Sequence, residues 1–137
     1  MADDSQRMVY EARVYSEQIR LLQNEAERIN MTAMELESSL AAVEALREEQ
    51  IFVPLGAGAM VSSRITSTEV LVPIGAGYMI GMKKYEAVEE IKKRMQSTQG
   101  AIEKLRAEFD KINAKLYEVS GKIDAMNAKR GGREGMQ

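Results

Sequence analysis

The chain contains no cysteine, no histidine and no tryptophan, and its 137 residues include only two phenylalanines and two prolines. Without cysteine there can be no disulfide framework, and no oxidising compartment is implied. Without His or Cys the commonest nucleophile–base pairs and the soft-ligand metal sites are missing as well. No enzyme activity, metal or cofactor is therefore expected. No apolar run approaches the ~18 residues that a membrane span needs, and the N-terminus does not read as a signal peptide. A net charge of −2 argues against nucleic acid as a partner, because phosphate binding rests on Lys and Arg. The expectation is a soluble, cytoplasmic protein of one domain, with neither nucleic acid nor membrane as a partner.

What is present is organised around the middle of the chain, which repeats itself. Val53-Pro54-Leu55-Gly56-Ala57-Gly58-Ala59-Met60 returns as Val72-Pro73-Ile74-Gly75-Ala76-Gly77-Tyr78-Met79. Two copies of one supersecondary element are implied. β-branched runs supply strands, and glycines supply the positive φ values of short hairpin loops. The reading is two β-hairpins over about 51–82, with loops near 56–58 and 75–77 and a polar connection at Thr66-Ser67-Thr68-Glu69.

Both flanks are helical. From Ala2 to Gln50 there is no Pro or Gly. Ala12, Ile19, Ala26, Ala33 and Leu40 fall at heptad position a, and Tyr15, Leu22, Ile29, Leu36 and Val43 at d. This predicts a helix over about 4–50, although Glu48 and Glu49 have the wrong sign for a helix C-terminus. The same alternation runs from Val88 through Ile91, Met95, Thr98, Ile102, Leu105, Phe109, Ile112, Leu116, Val119 and Ile123 to Met126. It predicts a second helix over about 84–128, with a glycine-containing tail, 129–137, that is frayed or disordered.

The two helices are expected to pair antiparallel, since the hairpins join them at one end. Residues 1–50 are net acidic and residues 83–137 net basic, in keeping with that pairing. Two registers fit, placing Ala26 opposite either Leu105 or Ile112. The fold class is thus mainly α with a small β insertion: an antiparallel two-helix coiled coil with two β-hairpins at one end. Four short strands cannot close a core alone, and their outer edges lack backbone partners. The remedy is an oligomer in which strands of several subunits join. The side chains assigned to that role are Val53, Leu55, Val61 and Ile65 in the first hairpin. In the second they are Val70, Val72, Ile74, Met79 and Ile80.

The heptad helices, with the duplicated VP(L/I)GAG segments at Val53–Met60 and Val72–Met79 between them, resemble the prefoldin family. The doubled hairpin is similar to its alpha-class subunits. The resemblance covers nearly the whole chain. It implies a hexamer of two alpha and four beta-class subunits, with strands completing an intersubunit β-barrel. It further implies an ATP-independent chaperone that holds unfolded polypeptides at coiled-coil tips and delivers them to a cytosolic group II chaperonin.

If so, the tip where both termini meet should expose apolar side chains off the seam. The candidates for client binding are Val9, Tyr10, Val14 and Leu21 on the first helix and Tyr117 on the second, with Met8 and Met126 closing the end of the seam. Tyr10, Val14 and Leu21 share one lateral face. Met31 and Met34 also lie off the seam, but far from the tip. A dinucleotide loop at Gly75–Gly81 is excluded by its GxGxxxG spacing and the lack of a βαβ unit. The alternative function is a structural coiled-coil scaffold or filament former assembled through the same hairpins.

Overall fold

The computed structural model describes residues 2–134. Helix α1 (Ala2–Glu44) is followed by β1 (Gln50–Gly56), β2 (Ala59–Arg64), β3 (Val70–Gly75) and β4 (Tyr78–Met82), and the chain ends in helix α2 (Lys84–Glu134). Two compact units are formed. One combines the residues up to Met31 with those from Gln99 onward, and the other comprises Thr32–Thr98. Each helix contributes a segment to both.

In the first unit the heptad seam is the buried side of each helix. Ile112 and Val119 are buried, and Ala12, Tyr15, Ile19, Leu22, Ala26, Ile29, Ile102, Leu105, Phe109 and Leu116 are half-buried between exposed neighbours. A pair of stacked helices cannot hide its seam fully, because each residue has neighbours on one side only. Leu22 and Ala26 share a groove with Ile102, Leu105 and Phe109. One step back along α1, Tyr15 and Leu22 share another with Ile112. Rising numbers on α1 therefore meet falling numbers on α2, and the register is the one that sets Ala26 against Leu105. Of the two open to sequence reasoning, the Ile112 alternative is excluded.

In the second unit Val43, Val72, Ala87 and Ile91 form a buried cluster, with Leu36, Leu40, Val70, Met82, Val88 and Met95 packed against it. The hairpin residues in this core all come from β3 and β4. Arg94, bridged to Glu90 at 3.2 Å, also donates from Nη2 to the Pro73 carbonyl at 2.8 Å. The second hairpin is thus bound to α2 by apolar contact and by a charged donor.

Helix α1 stops at Glu44, earlier than the expected boundary near residue 50. Its last turn tightens, with the Leu46 N–H donating to the Val43 carbonyl at 3.1 Å. The Lys84 ammonium then donates to the Leu46 carbonyl at 2.9 Å. Glu48 and Glu49 could not supply that cation, so a lysine from the start of α2 does. We expect Lys84→Met to cost about 1 kcal/mol, the usual net worth of one such bond where water can replace it. Urea unfolding reads this directly, and an unchanged midpoint would show that the contact contributes nothing. At the other end, α2 continues to Glu134 through most of the segment expected as a frayed tail, with Lys129 and Arg130 supplying cations near its C-terminus. Residues 135–137 of that tail lie outside the described residues.

The hairpins follow the repeat residue for residue. In each, one extra residue interrupts the pairing, Leu55 between Pro54 and Gly56 and Ile74 between Pro73 and Gly75. Both turns are two-residue connections with positive φ throughout: 49° at Ala57 and 80° at Gly58, then 52° at Ala76 and 79° at Gly77. Such turns match the twist of the strands they join. Sequence reasoning gave the positive φ values to glycine alone, yet alanine adopts one in both copies, against a left-handed cost of roughly 1–2 kcal/mol. At the hairpin bases the copies diverge. Gln50 Nε2 donates to the Ser62 hydroxyl at 2.6 Å. Glu69 and Gly81 occupy the equivalent positions in the second copy, where a Cβ on Gly81 would lie 2.1 Å from Glu69 Oε1.

Candidate interaction surfaces

No group of His, Cys, Asp and Glu suited to a metal exists among the described residues, and no described helix is long and apolar enough to cross a membrane. What the chain offers is exposed apolar surface, in two places.

The first is on the hairpins. The four strands carry a single charged side chain, Arg64 at the end of β2. Phe52 is 67% exposed, Leu55 69%, Leu71 63% and Tyr78 71%. Val61, Ile74, Met79 and Ile80 are exposed as well. Each hairpin is a separate two-stranded sheet, β1 with β2 and β3 with β4. The outer backbone edges therefore stand without sheet partners, as expected of strands that complete a larger sheet. Of the residues assigned to assembly, Leu55, Val61, Ile74, Met79 and Ile80 are openly exposed, while Ile65 is half-buried.

Val72 corrects the assignment. It is 4% exposed, packed in the core of its own chain, and Val70 is half-buried against that core. Its repeat counterpart Val53 is 38% exposed. The difference comes from Ala87 and Ile91 of α2, against which only the second copy is packed. Phe52, Leu71, Tyr78 and Tyr85 were missed as exposed groups. The signal for Phe52 was its place beside Val53 in an alternating strand, which puts the two on opposite faces.

The second place is in the first unit. Tyr10, Leu21 and Val9 are exposed on α1, Val14 is half-buried, and Tyr117 on α2 is 83% exposed. Met8 and Met126 are half-buried, consistent with closing the seam. Val9 and Tyr10 border one shallow depression with Ser5, Gln6 and Arg13. Leu21 instead borders the groove beside Tyr15 and Ile112. Between these side chains the charges on α1 are neutralised locally. Arg20 bridges Glu17, and its hydrogen bond holds the Glu17 carboxyl below the usual value. Arg28 bridges Glu25 at 2.5 Å, and the arginine is raised by that bond. Met31 and Met34 are exposed on the same helix, so apolar exposure on α1 is not confined to its first turns.

Comparison with known proteins agrees with this architecture. The family model described as Prefoldin, a prefoldin subunit, matches residues 15–129. Prefoldin subunit alpha of Methanococcus aeolicus is 34% identical over 70 residues, half of this chain and 49% of that protein. That match therefore spans about half the length of the relative. Prefoldin subunit alpha of Methanococcus vannielii is 24% identical over 144 aligned positions, 98% of this chain and 99% of that one. Among solved structures, the cryo-EM structure of filamentous PFD from Methanocaldococcus jannaschii has a TM-score of 0.69 at 24% identity, over 82% of this chain and 98% of that one. The crystal structure of the prefoldin beta subunit from Thermococcus strain KS-1 has a TM-score of 0.64 at 18% identity, over 90% and 91%. These two structures speak to the fold: two long helices around small antiparallel hairpins. The chain belongs to the prefoldin family, and the curated relatives it matches are that family's alpha subunits.

Proposed function

We propose that this chain works in an ATP-independent holding complex, joined through its hairpins to beta-class subunits in a hexamer of two alpha and four beta. In that assembly the strands of several subunits complete a β-barrel. Unfolded polypeptide is held on the apolar side chains of the first unit and passed to a group II chaperonin in the cytosol. The observation that carries the reading is the pair of hairpins with exposed Phe52, Leu55, Leu71 and Tyr78 and almost no charge. Soluble monomers rarely leave so many large apolar side chains uncovered in one short segment.

Client holding is tested by replacing Tyr10, Val14 and Leu21 together with Ser or Gln. None of the three is on the seam or in a strand, so helicity and the mass of the complex should stay as they are. Burial of one such side chain is worth roughly 1.5–3 kcal/mol, and clients touch several subunits at once, so partial loss of protection is expected. The assay is suppression of aggregation of a denatured protein by the complete complex. Undiminished protection would remove this surface as the client site.

A second reading has a specific basis. Two strand-addition sites on one chain are also what an open head-to-tail assembly requires, and a filament needs no client surface. A wild-type complex that gives no protection, and that sediments as a distribution of lengths, would favour the scaffold.

A further inference from the structure

The two copies of the repeat differ in what covers them, and the covered copy shows what the bare one is shaped for. In the second hairpin Val70, Val72 and Met82 line the face that packs into the chain's own core, Val70 standing opposite Met82 and Val72 opposite Ile80. Three residues of α2 receive that face. Ala87 is fully buried, and its bare methyl group lets the strand come close to the helix. Ile91 shares the buried cluster with Val72. Arg94, steadied by Glu90, donates to the Pro73 carbonyl at 2.8 Å. Steps of four and three residues put positions 87, 91 and 94 on one helix face. Together they make a socket for a Val-Pro dipeptide.

The first hairpin carries the same face with no socket beneath it. Ile51 stands opposite Ser63 and Val53 opposite Val61, the counterparts of Val70–Met82 and Val72–Ile80, and the bulge is the same. Ser63 in place of Met82 is the one polar change on this face. Yet Val53 is 38% exposed and Val61 42%, and among the described residues no side chain donates to the Pro54 carbonyl. The chain has no second socket to offer. Within α1 and α2, a small residue followed by an aliphatic one four positions on and a basic one seven on occurs only at Ala87, Ile91 and Arg94.

We propose that the Val53–Pro54 face docks on a helix of a beta-class partner subunit that carries the same socket. That helix has Ala or Gly, a branched aliphatic residue four positions on, and Arg or Lys three beyond that. Val53 enters between the first two, and the basic side chain donates to the Pro54 carbonyl. A second copy of this chain is the poorer occupant, because its socket already holds its own second hairpin. The docking rests on the reading that the hairpins join this chain to beta-class subunits. To the edge-to-edge pairing of strands it adds a contact of strand face on helix.

The chain has no cysteine, so Val53→Cys and, on the opposite face, Phe52→Cys each supply a single thiol. A short diazirine photocrosslinker is attached to that thiol before the complete complex is assembled and its mass verified. On irradiation the label at position 53 is expected to couple to a helix of a beta-class subunit, beside residues of the socket spacing, and the label at 52 to couple elsewhere. Matched substitutions give a second measurement. Val72→Ser should lower the melting temperature of the free chain. Val53→Ser should leave it nearly in place and weaken association with the partner subunits about tenfold or more, the loss that follows when one apolar side chain stays unburied. Coupling from position 53 to a strand, to the same chain's α2, to another copy or to nothing overturns the docking. Unchanged association of the Val53→Ser variant overturns it equally, while labels at 52 that still reach partner strands would leave the assembly standing. A chain that forms no complex with beta-class subunits defeats the assembly itself, and the docking with it.

Discussion

Replacing residues 51–82 with a short loop should abolish assembly, and the trimmed chain should sediment apart from its partner subunits. The hairpins hold the exposed apolar side chains that lack a place in the chain's own core, while the heptad seam is already satisfied by its own helices. Trimming also removes Val70, Val72 and Met82 from the cluster around Ile91, so part of the effect would come from a weakened second unit. A narrower variant separates the two contributions. Phe52→Ser with Leu55→Ser leaves that core intact, because both side chains point away from it at 67% and 69% exposure. If these side chains are buried in the complex, their loss removes roughly 3–6 kcal/mol, a hundredfold to ten-thousandfold weaker association. The melting of the free chain should hardly move. Normal assembly by the trimmed chain would show that the strands are not what joins the subunits.

The second large effect is expected at Phe109, the sole aromatic residue of the α2 seam. Full burial would make Phe109→Ala cost about 3–5 kcal/mol. The side chain is only half-buried and borders the groove over Ala26. The space left behind would open to water instead of forming a closed void, so about half that cost is expected, roughly 2 kcal/mol. The complex should keep its mass, since the strands are untouched. A thermal melt followed by helicity measures the change, and a curve superimposable on wild type would mean that Phe109 does not pack in the seam.

The seam was legible because it is written in spacing, and burial follows that spacing from Ala12 to Val43 and from Val88 to Met126. The hairpins were legible because glycine and β-branched residues alternate at a fixed interval, and because the interval occurs twice. The register was not, since both candidates set small residues against large ones. The choice depends on a fit between side chains that spacing does not encode. The end of α1 was misplaced although its signal was noticed. Glu48 and Glu49 argued for an earlier stop, but the cation that completes the stop, Lys84, comes from the far side of the hairpins. Val53 and Val72 show the firmest limit. Identical residues in identical octapeptide positions meet different surroundings, and nothing local to either one tells them apart.

The duplication also sets the folding chain a problem of mistaken identity. β1 and β3 are identical at three of six aligned positions and apolar at the other three, so β4 can zip onto β1 nearly as well as onto β3, and the ladder alone rejects the error weakly. Closure entropy supplies the discrimination. A correct turn closes over two residues, whereas a β1–β4 error must close over some twenty, which costs roughly 2 kcal/mol more. The tight Ala57-Gly58 and Ala76-Gly77 corners form on a timescale of about 1–10 μs, ahead of any distant competitor. Once Val72 has entered the core beside Ile91, β3 is withdrawn from the exchange. Burial of one valine out of two thus proofreads the copy that could otherwise be paired twice.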